Sequence, residues 1–138
     1  MKRWLVKTEP SAYSLDDLER EGRTVWDGVR NPVALRNLRA MRPGDAVFVY
    51  HSGGSGSPPA VVGTAEVAGD PRPDPKAAKF AVVDLRFVSR LPRPVALSEL
   101  KAEPAFADSP LVRQGRLSVL GVTDEQWHRV RELADREP

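Results

Sequence analysis

The sequence contains no cysteine among its 138 residues and only two histidines, His51 and His128. Without thiols the chain forms no disulfide, performs no thiolate catalysis and holds no cysteine-ligated zinc or iron–sulfur centre. The two histidines show neither the i, i+4 spacing nor the Cys/His clustering that metal sites need. We therefore expect no metal, no cofactor and a reducing compartment.

Long apolar runs are also missing. No segment approaches the ~18 apolar residues that a membrane-spanning helix needs, and the N-terminal MKRWLVKTEP turns polar after a few residues. The sequence therefore predicts a cytoplasmic protein, nuclear if its source is a eukaryote, with no membrane partner.

The composition is that of a folded protein, with 41% hydrophobic and 29% charged residues. A chain of this length has room for one core, so we expect a single domain over residues 1–138. Lys and Arg number 21, of which 16 are Arg, against 19 acidic residues. A mildly basic, arginine-rich surface is compatible with a partner that carries phosphates.

The hydrophobic pattern predicts short strands interleaved with short helices. Strands are expected at 4–8, 24–26, 46–52, 60–67, 80–91 and about 118–122. Helices are expected after Ser14, after Asn31-Pro32, around 97–101 and after Thr123. Residues 70–79 are expected to form a loop, and Pro92 and Pro94 to end the long strand. Without regular βαβ spacing, this order favours an α+β fold with a sheet of about five to six strands curled into a partial barrel.

Catalytic patterns are weak. His51 and Ser52 are adjacent in a strand, where neighbouring side chains point to opposite faces, so they form no dyad. Glu66 and Asp84 allow a paired-acid hydrolase to be drawn, but a solvent-facing position on a half-buried strand is the favoured interpretation of both.

Trp26 begins a segment of different character, Trp26-Asp27-Gly28-Val29-Arg30-Asn31. An aromatic plane, a carboxylate, a guanidinium and a carboxamide suit a nucleobase, since the ring offers a stacking surface and the polar groups reach the base edge. Packing of Trp26 in the core is an equal alternative at this point.

Several ordered blocks closely resemble the EVE domain family over nearly the entire chain. They are WLVKTEP at 4–10, YSLDDL at 13–18, VWDGVRN at 25–31, LRAMRPGD at 38–45, VFVYHS at 47–52, VVGTAEV at 61–67, VDLRFV at 83–88, RPVALSELK at 93–101 and PLVRQGRLSV at 110–119. The resemblance implies a PUA-like pseudobarrel with flanking short helices, related to YTH domains. It also implies a non-catalytic reader that takes a modified cytosine or adenine of DNA or RNA into an aromatic-walled pocket.

The resemblance further implies roles for individual residues. Trp26 is expected to be the stacking wall, with Asp27 beside the ring and Lys7, Thr8 and Glu9 on the neighbouring strand. Other residues of the signature blocks are assigned to the pocket or its rim: Asn31, Tyr50, His51, Ser52 and Gln114. Four arginines are expected to hold phosphates: Arg30, Arg36, Arg39 and Arg113.

Two departures from the family pattern affect this expectation. The segment 70–79 is short and lacks an aromatic residue, which leaves Phe80 as the nearby candidate for a second pocket wall. After VRN the family often shows YQARN, whereas this chain has PVALR at 32–36. This replacement removes an Arg and an Asn at matching positions. If those side chains contact the ligand in other members, this chain is expected to differ in its base preference.

Nucleic acid carrying a modified base is therefore the expected partner. Two alternatives stay open at this point. One is a PUA-like RNA-binding module that ignores base modification, with affinity that falls steeply with salt. The other is an enzyme acting on a nucleotide, with Glu9 or Asp27 as general base.

Overall fold

The computed structural model describes residues 1–53 and 56–136, in which seven strands and five α-helices are present. The strands are β1 (Arg3–Thr8), β2 (Arg23–Trp26), β3 (Ala46–His51), β4 (Ala60–Val67), β5 (Arg72–Asp74), β6 (Ala77–Ala96) and β7 (Val119–Val122). The helices are α1 (Leu15–Glu21), α2 (Pro32–Ala40), α3 (Leu97–Lys101), α4 (Pro110–Arg113) and α5 (Asp124–Ala134), with a 3₁₀ turn at Pro104–Phe106.

The predicted helix starts are confirmed, because each is set by a local hydrogen bond. Ser14 and Asp17 form a reciprocal capping box at α1. Asn31 caps α2, with Pro32 in the first turn, where its missing N–H costs nothing. Thr123 and Gln126 form a second capping box at α5. Gly22 ends α1 with φ at +76°, a conformation that glycine adopts without strain.

The strands form one mixed sheet in the order β2-β6-β4-β3-β1-β7, with β5 paired to β6 outside this path. β1 runs parallel to β3, and the remaining pairs are antiparallel. β2 and β7 are the two edge strands of this order. Helix α2 packs against both β7 and β6, the neighbour of β2, so the sheet curls and brings its two edges toward each other. Asn37 of α2 donates to the carbonyl of Val119 at 2.8 Å. We call the gap between the two sheet edges the seam.

The core lies inside this curl. Trp4, Leu5 and Val6 are all buried, so β1 is covered on both faces. Phe48 of β3 stacks on Trp127 of α5 with ring centroids 3.7 Å apart. Since α5 also covers the long strand β6, the C-terminal helix closes one face of the partial barrel.

The predicted loop at 70–79 is wrong. Arg72–Asp74 forms β5 and pairs with β6, which already starts at Ala77, so the segment is a hairpin. Among the prolines of this segment, Pro73 lies in β5, a short strand at the periphery of the sheet where a missing N–H is tolerated.

The predicted end of the long strand at Pro92 is also wrong. β6 continues to Ala96, and Val61 of β4 pairs with Val95 whereas Gly63 pairs with Arg90. Pro92 and Pro94 lie in this irregular stretch, where the ladder does not require their N–H groups. The α+β class is confirmed, with seven strands in the described residues where about five to six were expected.

Candidate functional site

A cavity of about 500 Å³ opens at the seam. Its walls come from β1, from β2 and the segment that follows it, from the residues before α1 and from the residue before β7. The lining residues are Lys7, Thr8, Ala12, Tyr13, Thr24, Val25, Trp26, Asp27, Gly28, Val29 and Ser118. The volume lies within the range of about 300–1,000 Å³ typical of small-molecule sites.

Trp26 is the last residue of β2 and pairs with Val83 of β6. Only 7% of its surface is exposed, so the ring belongs to the core and also lines the cavity. Tyr13 meets it edge to face, with centroids 6.0 Å apart and planes at 87°. Trp26 therefore packs in the core and also lines the cavity, and its contact with a base stays a prediction.

Tyr13 is fixed from two directions. Its hydroxyl donates to the Glu21 carboxylate, and its backbone carbonyl accepts from the Thr8 hydroxyl at 2.7 Å. Burial, reinforced by the hydrogen bond to Glu21, raises the pKa of Tyr13. The phenol is therefore a neutral aromatic wall that Thr8 and α1 hold in place.

Lys7 lies on the opposite side of the cavity. Its ammonium donates to the carbonyl of Gly115 at 3.0 Å and lies 5.5 Å from the ring centroid of Tyr50. Burial lowers the pKa of Lys7. The contact ties the loop after α4 to β1, and the Lys7 N–H also donates to the carbonyl of Ser118.

Asp27 and Gly28 form the exposed lip of the cavity. Gly28 has φ at +76°, and the chain then returns inward to the buried Val29. The carboxylate of Asp27 therefore stands at the entrance, beside Trp26, where an incoming polar group would meet it.

Three other residues predicted for the pocket, Tyr50, His51 and Ser52, do not line the cavity and instead contact neighbouring parts of the protein. Tyr50 is 3% exposed and lies beneath Lys7. His51 accepts from the backbone N–H of Leu15 at 3.0 Å through Nε2, and burial lowers its pKa. Ser52 donates from its backbone N–H to the carbonyl of Thr8 at 3.0 Å.

The remaining pocket predictions fall on the exposed surface. Glu9 accepts from the hydroxyl of Ser11 at 2.6 Å. Asn31 uses its side-chain oxygen to accept from Val33 and Ala34 at the start of α2. Gln114 is exposed at the end of α4.

Phe80 lines a second cavity, of about 560 Å³, between α2 and the β5–β6 hairpin. Of the predicted phosphate-binding residues, Arg39 lines this second cavity, and Arg30 places its guanidinium 4.7 Å from the centroid of Phe80. Arg36 is exposed on α2, whereas Arg113 pairs with Asp108 at 3.2 Å. The structure thus brings Lys7, Thr8, Trp26 and Asp27 together and separates Phe80 from them.

The site residues predicted from the sequence did not include seven lining residues: Ala12, Tyr13, Thr24, Val25, Gly28, Val29 and Ser118. Thr24 could have been predicted, because residues two apart in a strand share a face and Trp26 was assigned to the pocket. Tyr13 begins the quoted YSLDDL block, but its contact with Trp26 joins two elements that no local pattern connects.

The carboxylates of the central strands make no acid pair. Glu66 pairs with Arg86 at 2.8 Å, while Asp84 is held by Arg23 and Arg72. These arginine contacts keep the pKa of Asp84 below its usual range. In residues 1–53 and 56–136, no three His, Asp or Glu side chains cluster as metal ligands, and no helix has the length and apolar character to cross a membrane.

Residues 2–133 match the family model of the EVE domain. The chain belongs to the EVE domain family. This EVE domain is 32% identical to thymocyte nuclear protein 1 of Rattus norvegicus, over 98% of this chain and 74% of the relative.

Solved structures agree with this assignment. A protein of Agrobacterium tumefaciens superposes on this EVE domain with a TM-score of 0.91 and 38% identity, over 98% of this chain and 94% of the other. Human THYN1, in complex with 5-methylcytosine containing DNA, superposes with a TM-score of 0.90 and 28% identity, and each chain is covered completely.

A more distant likeness concerns the fold alone. A YTH domain of Zygosaccharomyces rouxii superposes with a TM-score of 0.58 at 15% identity, over 99% of this chain and 86% of the other. The PUA-like α+β fold is therefore confirmed, and the YTH domain shares it.

Proposed function

We propose that this EVE domain is a non-catalytic reader that binds a modified nucleobase in the seam cavity, with 5-methylcytosine in DNA as the ligand to test first. The observation that carries the proposal is the cavity itself, which combines the Trp26 ring, the Tyr13 ring and the Asp27 carboxylate at one opening. The similarity over the full chain to human THYN1 in complex with 5-methylcytosine containing DNA supports this choice of base.

The lining suits cytosine chemically. A carboxylate accepts well from the exocyclic amino group of cytosine, and Asp27 stands at the entrance. Val25 and Val29 supply apolar surface beside Trp26, and burial of one methyl group contributes about 0.8 kcal/mol. On that basis alone, 5-methylcytosine binds about fourfold more tightly than cytosine.

The energies also balance for a base taken out of a duplex. Extrusion costs a few kcal/mol, and stacking on aromatic side chains returns about 1–3 kcal/mol per base. Hydrogen bonds to Asp27 and phosphate contacts outside the cavity supply the remainder.

Fluorescence anisotropy of a labelled 12-base-pair duplex with one central 5-methylcytosine, against the same duplex with cytosine, tests the proposal. Wild type is expected to prefer the methylated duplex, and Trp26→Ala to weaken its binding by roughly 5- to 150-fold, the equivalent of one lost stack. Trp26→Phe keeps a ring and is expected to lose far less.

Because Trp26 also packs in the core, Asp27→Ala is a second variant at an exposed position. It is expected to retain the wild-type thermal unfolding midpoint and to lose about tenfold in affinity. Equal affinity of wild type for both duplexes, together with no effect of Asp27→Ala, would falsify the proposal.

Mass analysis of the recovered duplex separates a reader from an enzyme that uses Asp27 or Glu9. A reader returns the DNA unchanged after prolonged incubation. A mass change that disappears in Asp27→Ala or Glu9→Gln would favour the enzyme instead.

A further inference from the structure

The second cavity, which we call the α2–hairpin cleft, is lined mainly by cationic and apolar groups. Arg39 and Arg42 come from α2 and its C-terminal end, Arg72 from β5, and Phe80 from β6. Asp70 is its one acidic lining residue among the described residues. Arg30 and Lys79 flank the Phe80 ring at 4.7 Å and 5.2 Å from its centroid.

The arginines of this cleft differ from most others in the molecule. Within residues 1–53 and 56–136, ten ion pairs join arginines to carboxylates, and none of them involves Arg30, Arg39 or Arg42. Arg72 does pair, with Asp84 at 3.1 Å. Two guanidinium groups that line the cleft, and that of Arg30 beside the Phe80 ring, are therefore in no ion pair within the described residues.

Two of these groups are nevertheless held in place. Arg39 donates to the carbonyl of Lys79 at 2.8 Å, and Arg42 donates to the carbonyls of Arg39 and Met41. A carbonyl orients a guanidinium without cancelling its charge, and each guanidinium has five N–H donors, so several remain for an anion. Oriented cations with spare donors are what binding of phosphate oxygens requires.

The cleft and the seam cavity are joined by one short segment. Trp26 to Val29 line the seam cavity, and the next residue, Arg30, stacks on Phe80 of the cleft. Four residues of chain reach at most about 14 Å. Phosphates of one DNA strand recur about every 3.4 Å along the helix axis, so a strand entering the seam cavity passes the backbone of Arg30, whose guanidinium lies against Phe80 of the cleft, within about four nucleotides.

From this juxtaposition we propose that the α2–hairpin cleft binds the phosphodiester backbone that flanks the base in the seam cavity. Arg39 and Arg42 contact phosphate oxygens directly. Phe80 acts through Arg30, since its ring positions that guanidinium between the two cavities. The proposal rests on the proposed function, because it assigns the flanking backbone of the same nucleic acid.

Salt-dependent binding tests the cleft with Arg39→Gln/Arg42→Gln as the variant. Affinity for the 5-methylcytosine duplex and for its cytosine counterpart is expected to fall by the same factor, about tenfold at low salt. The slope of log K against log salt is expected to become shallower by about two, one per lost phosphate contact.

A matched control removes the same charge elsewhere. Arg131→Gln/Arg136→Gln changes two exposed arginines of α5 and the residues after it, neither of which lines either cavity. Its slope of log K against log salt is expected to stay close to that of wild type, because only the long-range attraction of two positive charges is lost. Arg39→Lys/Arg42→Lys keeps both charges and is expected to recover most of the slope, with circular dichroism confirming that all variants fold.

The outcomes separate the two proposals. If the cleft variant and the control show the same slope and affinity, the cleft proposal is overturned, whatever the preference for 5-methylcytosine. If wild type shows no preference between duplexes but the cleft variant loses slope, the base reader fails and the phosphate cleft stands. If wild type binds neither duplex, both are overturned.

Discussion

His51 accepts a hydrogen bond from the first residue of α1 through an Nε2 that must be unprotonated. Burial holds the pKa of His51 below its ordinary value of about 6.5. The unfolded chain therefore takes up a proton at a higher pH than the native chain does. The contribution of His51 to stability is complete above about pH 6.5 and declines as the pH falls through the folded-state pKa.

Thermal unfolding of wild type, His51→Gln and His128→Gln between pH 5 and 8 measures this contribution. His51→Gln retains an acceptor that does not titrate, so its midpoint is expected to fall less toward pH 5 than that of wild type. His128 is exposed on α5 and serves as the matched control. The same pH slope in His51→Gln and wild type would contradict the assignment.

Asp45 is a buried carboxylate, 4% exposed, that accepts from Trp4 Nε1, Lys2 N and Arg42 N, each at 3.0 Å. Burial raises its pKa, but the three hydrogen bonds outweigh that effect and hold the pKa of Asp45 below its usual range. Asp45→Asn replaces an acceptor oxygen by an NH₂ group that faces a donor. Urea denaturation is expected to show a loss of about 2–3 kcal/mol, against almost no loss for the exposed Asp135→Asn.

At the scale of elements, Asn31 belongs to a helix start rather than to the cavity lining. Its side-chain oxygen caps α2, so Asn31→Ala is expected to cost about 1 kcal/mol of unfolding free energy. Asn31→Ser keeps a side-chain oxygen that caps a helix about as well and adds no charge. It is expected to leave both the unfolding midpoint and the affinity for the 5-methylcytosine duplex unchanged. Lower affinity at unchanged stability would instead place the Asn31 amide against the base.

Local signals predicted α1, α2 and α5 well because capping is decided by residues within one turn. The start of each of these helices is marked in the sequence by its N-cap residue, Ser14, Asn31 or Thr123. β5 and the last quarter of β6 were missed because their pairing depends on partners that no local pattern reveals. Pro92 and Pro94 lack backbone N–H donors, which is why the sequence predicted the strand to end there. Only the register with β4 shows that the ladder is irregular at this point and that the strand continues.

The candidate site was predictable to a similar extent. The seam cavity is lined by four of the residues that the family resemblance assigned to the pocket, Lys7, Thr8, Trp26 and Asp27. Their contact with a base stays a prediction. Phe80 was assigned to the same pocket because it follows the hairpin in sequence, whereas the curl of the sheet turns it toward α2. Tyr50 and His51 have side chains that suit a base, but in the folded chain the Tyr50 ring contacts Lys7 and the His51 imidazole accepts a hydrogen bond from α1.

On the scale of the whole molecule, the seam cavity is built from both edges of the sheet. A ligand that contacts β2 residues and Lys7 at once joins elements distant in the sheet order. Binding to the native state alone stabilises it, by about 2.7 kcal/mol at a ligand concentration of 100 Kd. For a chain of this size that raises the unfolding midpoint by roughly 8 °C. Differential scanning fluorimetry with the methylated duplex checks this, with Asp27→Ala, tested at the same duplex concentration, expected to show a smaller shift.

Pro92 and Pro94 have a consequence for the behaviour of the protein in concentrated solution. Residues two apart in a strand direct their backbone N–H groups toward the same side, so the irregular stretch of β6 offers no donor there at two successive positions. A strand of another molecule that approaches this side meets carbonyl acceptors but no N–H donor at either proline, so it cannot form a complete ladder. Pro92 and Pro94 therefore protect the chain against intermolecular β-sheet aggregation.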